Sequence, residues 1–471
     1  MVHLLNLTSL PFIGDVTLSG SVLVVFFICF LAVVGFEFVN GFHDTANAVA
    51  TVIYTKALKP VYAIPWSGMW NFLGVFLGGV TVAMGILKLV PLNELMAMPV
   101  QVGACLVLAV LLGSIVWNLG TWYLGIPCSS SHTLIGAMIG GSLAFTLYYG
   151  GAGVNWDKAK DIGLSLILSP IIGFGVAALV MYLLKRSKWA TPLFHIPKGE
   201  NDTPPIIIRL LLITTCTLVS FFHGSNDGQK GVGLLMLILI AFFPAKFAID
   251  HSISPDKMLL SLNKTEQVVT KLSAATPNNA AIMKLDTAVG KAKGQLAATG
   301  AAYNAYKVRK SLQSVTKDIK ALTDDDKAAI AASDKTTLKS ASKDLTNVTD
   351  FAPVWVIATI SISLGLGTMI GWKRIVVTIG EKIGNEHLNY AQGATAEIVA
   401  ASTIGLSTQF GLPVSTTHVL SSGIAGSMMA SGGSGNLNSG TIKSIALAWI
   451  LTLPVAIALS FLFFMFFHLF I

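Results

Sequence analysis

GIPCSSSHTLIG, from Gly125 to Gly136, returns late in the chain as GLPVSTTHVLSS, from Gly411 to Ser422. Both copies read Gly, an apolar residue, Pro, a variable residue, three small hydroxyl-bearing residues and His. A second, looser echo joins GFHDTANA at Gly41 to Ala48 with GSNDGQKG at Gly224 to Gly231, and aligns Asp44 with Asp227. The chain is therefore two related halves. Pro127 lies 83 residues after Asp44, whereas Pro413 lies 186 after Asp227. The excess is close to the length of one polar stretch, 250–350, so removing that stretch nearly equalises the halves. Duplicated halves with polar, Gly- and Pro-broken segments at matching positions mark a secondary transporter whose substrate site lies between the repeats, near the bilayer midplane.

The composition agrees with a membrane setting. Hydrophobic residues make up 53% of the chain and charged residues 11%, against roughly 25% charged in soluble domains. Uncharged stretches such as Val61 to Leu87, Ile162 to Leu184, Phe351 to Trp372 and Ser444 to Phe467 each reach the roughly 20 residues that cross a bilayer as helix. Counting them, with the run from Leu95 to Ser131 split, predicts about ten to twelve spans, an all-α polytopic fold. The N-terminal MVHLLNLTSLPFIGDV lacks a basic n-region, so Gly20 to Phe36 is read as a retained first helix. Lys56 and Lys59 follow it, and Lys185, Arg186, Lys188, Lys198 and Arg209 lie between later spans. By the positive-inside rule the N-terminus is external and the linker cytoplasmic. Lys373, Arg374 and Lys382 form a third basic loop. The net charge of +8 is read as this bias in the loops of a cell-membrane protein, not as a nucleic-acid footprint. Cys29, Cys105, Cys128 and Cys216 sit in apolar segments without metal-type spacing.

The stretch from Asp250 to Asp350 breaks the pattern, holding about half of the chain's charged residues and no Phe or Trp. Val268 and Leu272, then Leu312, Val315, Ile319 and Leu322, keep helical spacing, which predicts a soluble, weakly packed helical insert. The expected division is a first transmembrane repeat at 1–184, a cytoplasmic linker at 185–209, the start of the second repeat at 210–249, the insert at 250–350 and the rest of the second repeat at 351–471.

A carboxylate at membrane depth costs several kcal/mol unless it faces a cavity, a cation or a partner. Asp44 and Asp227 are two such groups at equivalent places. His43, Asn47, Asn226 and Lys230 lie within one helical turn of them, a set able to bind a cation or carry a proton. Proline followed by Ser or Thr signals a helix N-terminus, and such termini attract anions, phosphate in particular. Ser129, Ser130, Ser131 and Thr133 from one half, with Ser415, Thr416 and Thr417 from the other, are the candidate oxyanion-binding groups. His132 and His418 follow the triplets, and with Glu37, Asn40, His223 and Glu397 they are candidate cavity-lining residues. Lys230 either neutralises Asp227 or attracts an anion. The Ser-His juxtaposition in SSSH does not make a hydrolase, because neighbours on a helix point about 100° apart. No enzymatic site and no resident cofactor are expected.

GFHDTANAVAT, HGSNDGQKG, PCSSSHTLIG and PVSTTHVLSS together resemble the inorganic phosphate transporter (Pit) family, especially its bacterial low-affinity carriers. The resemblance covers Val22 to about Phe467. It implies phosphate symport with a cation by alternating access, inverted-topology repeats with broken or re-entrant helices, a homodimer, and an inner-membrane location. Many members, sodium-coupled ones included, carry Gly-Ala-Asn-Asp in both halves. Here His43 precedes Asp44, and Lys230 stands where the first half has Asn47; both exchange neutral oxygen ligands for groups that hold a proton or a positive charge. The resemblance then implies proton coupling, with phosphate carried together with Mg²⁺ or another divalent metal. Sodium coupling, sulfate or another tetrahedral oxyanion as cargo, and an anion channel are the competing readings.

Overall fold

A computed structural model of the chain describes residues 6–151, 153–199, 202–324 and 330–471. The readings above that touch 1–5, 152, 200–201 and 325–329 lie at those points outside the described residues. Apart from a two-stranded sheet (Asn6–Leu10 and Gly14–Leu18), the described structure is helical.

The first half runs through α1 (Gly20–Asp44), α2 (Ala46–Tyr54), α3 (Pro60–Leu77), α4 (Thr81–Leu87), α5 (Leu92–Leu95), α6 (Val100–Tyr123), α7 (Ser130–Tyr149) and α8 (Trp156–Arg186). The second runs through α9 (Ile206–His223), a π-helical turn at Gly224–Gly228 and α10 (Gln229–Phe242). After α11 (Pro244–Phe247) and the four helices α12 to α15, it resumes with α16 (Val354–Thr368), α17 (Lys373–Val377), α18 (Tyr390–Gln409), α19 (Thr416–Gly432) and α20 (Ser439–His468). Five helical stretches are long and apolar enough to cross a membrane, or up to seven if two bent pairs each count as one span. The other segments counted as spans from sequence are shorter and interrupted. Val61 to Leu87, for example, is broken between α3 and α4, which meet at 71°.

The halves pack as exchanged partners. α1 lies against α16 as α9 lies against α3, and α8 packs on α19 as α7 packs on α20. Close approach at the latter pairs needs glycine: a Cβ on Gly140 would stand 2.1 Å from the Ile457 carbonyl oxygen, and one on Gly426 would stand 2.3 Å from that of Phe174. Such small-residue contacts let membrane helices pack where lipid gives no hydrophobic driving force between them. The outer faces stay apolar and exposed, as at Ile167, Ile171 and Leu179 on α8 and Leu447, Ile450 and Leu462 on α20. This is a multi-pass membrane protein.

Leu239–Ala352, with Ser9–Gly14, makes a second compact unit. Its helices α12 (Pro255–Ala275), α13 (Ala280–Ala297), α14 (Ala305–Asp324) and α15 (Ala332–Thr349) close over Leu262, Val269, Leu285, Val289, Val308, Leu312, Val315 and Leu345, all buried. This core is continuous, a tighter packing than the sparse apolar residues suggest. The buried Arg309 donates to the carbonyls of Ala248 and Thr349 and ties the start of the unit to its end.

Candidate functional site

Both halves interrupt a helix at their aspartate. In the first, α1 ends at Asp44, and Thr45 donates its hydroxyl to Gly41 O (2.7 Å) and Thr368 O (2.8 Å) before α2 begins. In the second, the π-helical turn carries Asp227; π-turns leave the regular ladder and recur at functional sites. Opposite these breaks are the N-termini of α7 and α19. Ser129 and Ser415 are their N-caps, with matching backbone angles (φ −93°, ψ 109° and φ −91°, ψ 101°), and each accepts the N–H of the histidine three residues on. The proline two residues earlier and the hydroxyl cap together explain why both helices start there.

The four helix ends converge. Asp44 accepts from Ser130 Oγ at 2.8 Å, from Thr417 Oγ1 at 2.7 Å and from Asn47 Nδ2 at 3.0 Å. Ser130 Oγ also lies 3.3 Å from Asp227 Oδ2. Lys230 Nζ stands 2.6 Å from that oxygen and donates to Ser131 Oγ at 2.5 Å; Ser131 in turn donates to Val414 O. Asn47 reaches Thr416 and Thr417 of the other half, as Lys230 reaches Ser131, so the matched positions cross between the repeats. His223 places Nε2 at 3.6 Å from Asp44 and 3.7 Å from Asp227. Asp44, His223 and Asp227 each offer a ligand atom within 4.8 Å of the others. Among the described residues, His223 Nε2 and Asp227 Oδ1 are buried without a hydrogen-bond partner, as expected of groups that face a cation or ligand. The cluster is sealed, Asp44, Asp227 and Lys230 being at most 1% exposed.

A profile of the phosphate transporter family matches residues 40–460. The chain belongs to this family. It is 39% identical to the low-affinity inorganic phosphate transporter PitA of Escherichia coli K12, over 90% of this chain and 93% of that one. It is 40% identical to the low-affinity inorganic phosphate transporter of Buchnera aphidicola from Acyrthosiphon pisum, over 94% and 96%. Among solved structures, a sodium-dependent phosphate transporter aligns over 95% of this chain and all of its own, with a TM-score of 0.55 and 20% identity. At that identity the likeness concerns the fold alone. Relatives in this family are named as transporters, and the chain is a transporter, not an enzyme.

Within this family member the other sequence-selected residues take supporting places. His43 lies with Nδ1 at 3.8 Å from Asp44 and Nε2 at 3.3 Å from Thr121. Asn226, at the equivalent position, bonds Thr408 Oγ1 and Leu412 O and accepts from Val414 N, which fixes the loop before α19. Thr133 donates to Ser129 O on its own helix. His132 and His418 pack on each other with ring centroids 4.5 Å apart, and His418 also stacks on Trp449. Glu37 accepts from Asn40 and from the backbone N–H of Gly231, directly behind Lys230. Glu397 takes the hydroxyls of Thr51 and Thr215.

Sequence reasoning gave His223 only a lining role and passed over Asn71, Thr368 and Gln229. Asn71 Oδ1 accepts from His223 Nδ1 (2.8 Å) and Asn71 Nδ2 donates to Thr368, setting the imidazole's orientation. Gln229 accepts the N–H groups of Val82 and Ala83, capping α4 where the span breaks. The available signal was a polar residue inside an apolar run, at Asn71 and Thr368 alike.

Proposed function

We propose that this chain imports inorganic phosphate as a complex with a divalent metal, coupled to protons and moved by alternating access. The observation that carries the reading is that the Asp44 carboxylate now occupies the hydroxyls of Ser130 and Thr417. Asp44 thus stands in for an oxyanion. A hydroxyl donates one proton, so while Asp44 is anionic and unneutralised these donors are unavailable to phosphate. A proton on Asp44, or a metal between Asp44, His223 and Asp227, frees them to turn toward the cargo.

Charge argues in the same direction. With histidines neutral, Asp44, Asp227 and Lys230 leave the cluster one unit negative. Adding a phosphate dianion places like charges together, each pair at about 4 Å costing ~4 kcal/mol at an effective dielectric near 20. Cations must accompany the anion, and a neutral metal–phosphate with a proton meets that need. Lys230 already fills one side of Asp227 and opposes a second cation there, which supports a proton over sodium as the coupling ion.

The test is phosphate uptake into sodium-free proteoliposomes. An inward proton gradient is expected to drive accumulation, and Mg²⁺ to raise it. Asp44→Asn is expected to abolish gradient-driven accumulation in folded, inserted protein. Strict sodium dependence without response to a pH step would overturn the coupling, and wild-type accumulation by Asp44→Asn would overturn the site.

A further inference from the structure

A cavity of about 530 Å³ opens where the end of α6 meets the loop from α16 to α17, lined by Trp122, Gly125, Lys373, Arg374 and Lys382 among others. We propose that it is an anion antechamber, a second phosphate-attracting site on the path between the sealed cluster and the basic face of the membrane; this rests on the transport reading above.

Its lining carries three cations and no carboxylate. Glu381, the one acid of the Lys373–Lys382 stretch, is not among the lining residues and interacts instead with the Tyr54 hydroxyl. Arg374 is partly committed, donating to Tyr123 O at 2.8 Å and lying over the rings of Trp122 and Tyr123. Lys373 and Lys382 make no ion pair among the described residues. Trp122 lines the inner side of the cavity, packs edge-on against Phe42 at 5.1 Å between centroids and donates to Gly371 O; its neighbour Thr121 lies 3.3 Å from His43 Nε2. Phe42 immediately precedes His43 and Asp44. The cavity is therefore linked to the cluster through Thr121 and His43, and no residue of the cluster is among its lining residues.

The repeat supplies an internal control. Gly371 (φ +73°) precedes α17 as Gly79 (φ +77°) precedes α4, and Gly125 (φ +67°) packs by Arg374 as Gly411 (φ +65°) packs by Thr81. The fold thus builds this corner twice. Over the same twelve residues, Thr81, Val82 and Val90 stand where Lys373, Arg374 and Lys382 do, and Lys88 is the one charged residue of Gly79 to Val90. Charge is not a requirement of the corner's geometry. It marks one end of the pathway, where Gly380 packs against Tyr54 at the end of α2, the helix whose following Lys56 and Lys59 the positive-inside rule places on the cytoplasmic face. Clefts lined by one sign of charge concentrate counter-ions and raise their entry rates.

The experiment measures phosphate transport in each direction in right-side-out and inverted proteoliposomes of purely zwitterionic lipid, for wild type and for Lys373→Gln/Lys382→Gln, which leaves Arg374's packing in place. The double variant is expected to raise the phosphate KM about three- to tenfold on the basic face only, with Vmax and the opposite face unchanged. High salt, which screens exposed charges, should erase the difference. Equal KM values for wild type and variant on the basic face would overturn the proposal. So would a difference that appears only after anionic lipid is added, which would assign the cavity to a lipid headgroup. Absence of phosphate transport by wild type in either direction would instead defeat the transport reading.

Discussion

Asp44 accepts three donors, and two of them, Ser130 and Thr417, come from different halves of the chain. Its carboxylate therefore holds the repeats together in the sealed state and competes with any bound oxyanion. Hydrogen bonds to a charged group are worth about 1.5–3 kcal/mol, so Ser130→Ala or Thr417→Ala is expected to raise the phosphate KM about tenfold or more with little change in expression. Uptake kinetics of the purified variants check this, and unchanged KM in both would remove the hydroxyls from the site. These residues were legible in the sequence because the motif repeats; Asp44, Asp227 and both triplets stand out by duplication alone. His223 did not, because its counterpart at the equivalent position is Asn40, and a residue without a repeat has no second copy to flag it. Asn71 was hidden for a related reason: its partner Thr368 is a different residue type, and only their contact with each other reveals the pairing.

The helices make this site by stopping. α1 ends at Asp44, α9 gives way to the π-turn that carries Asp227, α7 and α19 begin at capped serines, and α3 breaks before α4. Pro and hydroxyl residues foretold the starts of α7 and α19, since capping is local chemistry. The bend at Gly79 was not foretold, because an uninterrupted apolar run looks the same from sequence whether it is straight or broken. Nor could periodicity reveal which helices approach closely. Gly140 and Gly426 do so at matching positions against α20 and α8. Gly140→Ala is expected to destabilise by about 1–3 kcal/mol through overpacking, read as a lower midpoint of thermal unfolding in detergent. Gly163→Ala, where a Cβ meets nothing within 4 Å, is the control and should leave the midpoint unchanged or raised. Equal behaviour of the two variants would contradict the close packing.

At the scale of the molecule, the transport repeats and the second unit are separable by sequence length and by structure. The backbone N–H of Asp250 bonds Val348 O at 2.9 Å, so the two ends of the insert lie together and a short Gly/Ser linker from Ile249 to Phe351 can replace it. The deletion variant is expected to fold and retain phosphate uptake; folded, inserted protein without uptake would give the insert a part in the cycle. The central claim is that the negative site admits phosphate only in the company of cations. It is tested most directly by dual-label uptake of phosphate and a divalent metal such as Mn²⁺ into the same sodium-free proteoliposomes under an inward proton gradient. The account predicts that metal and phosphate enter together in a fixed ratio, that a chelator stops both, and that Asp44→Asn loses both at once. Phosphate accumulation that continues undiminished in chelator, driven by a sodium gradient and indifferent to pH, would contradict it.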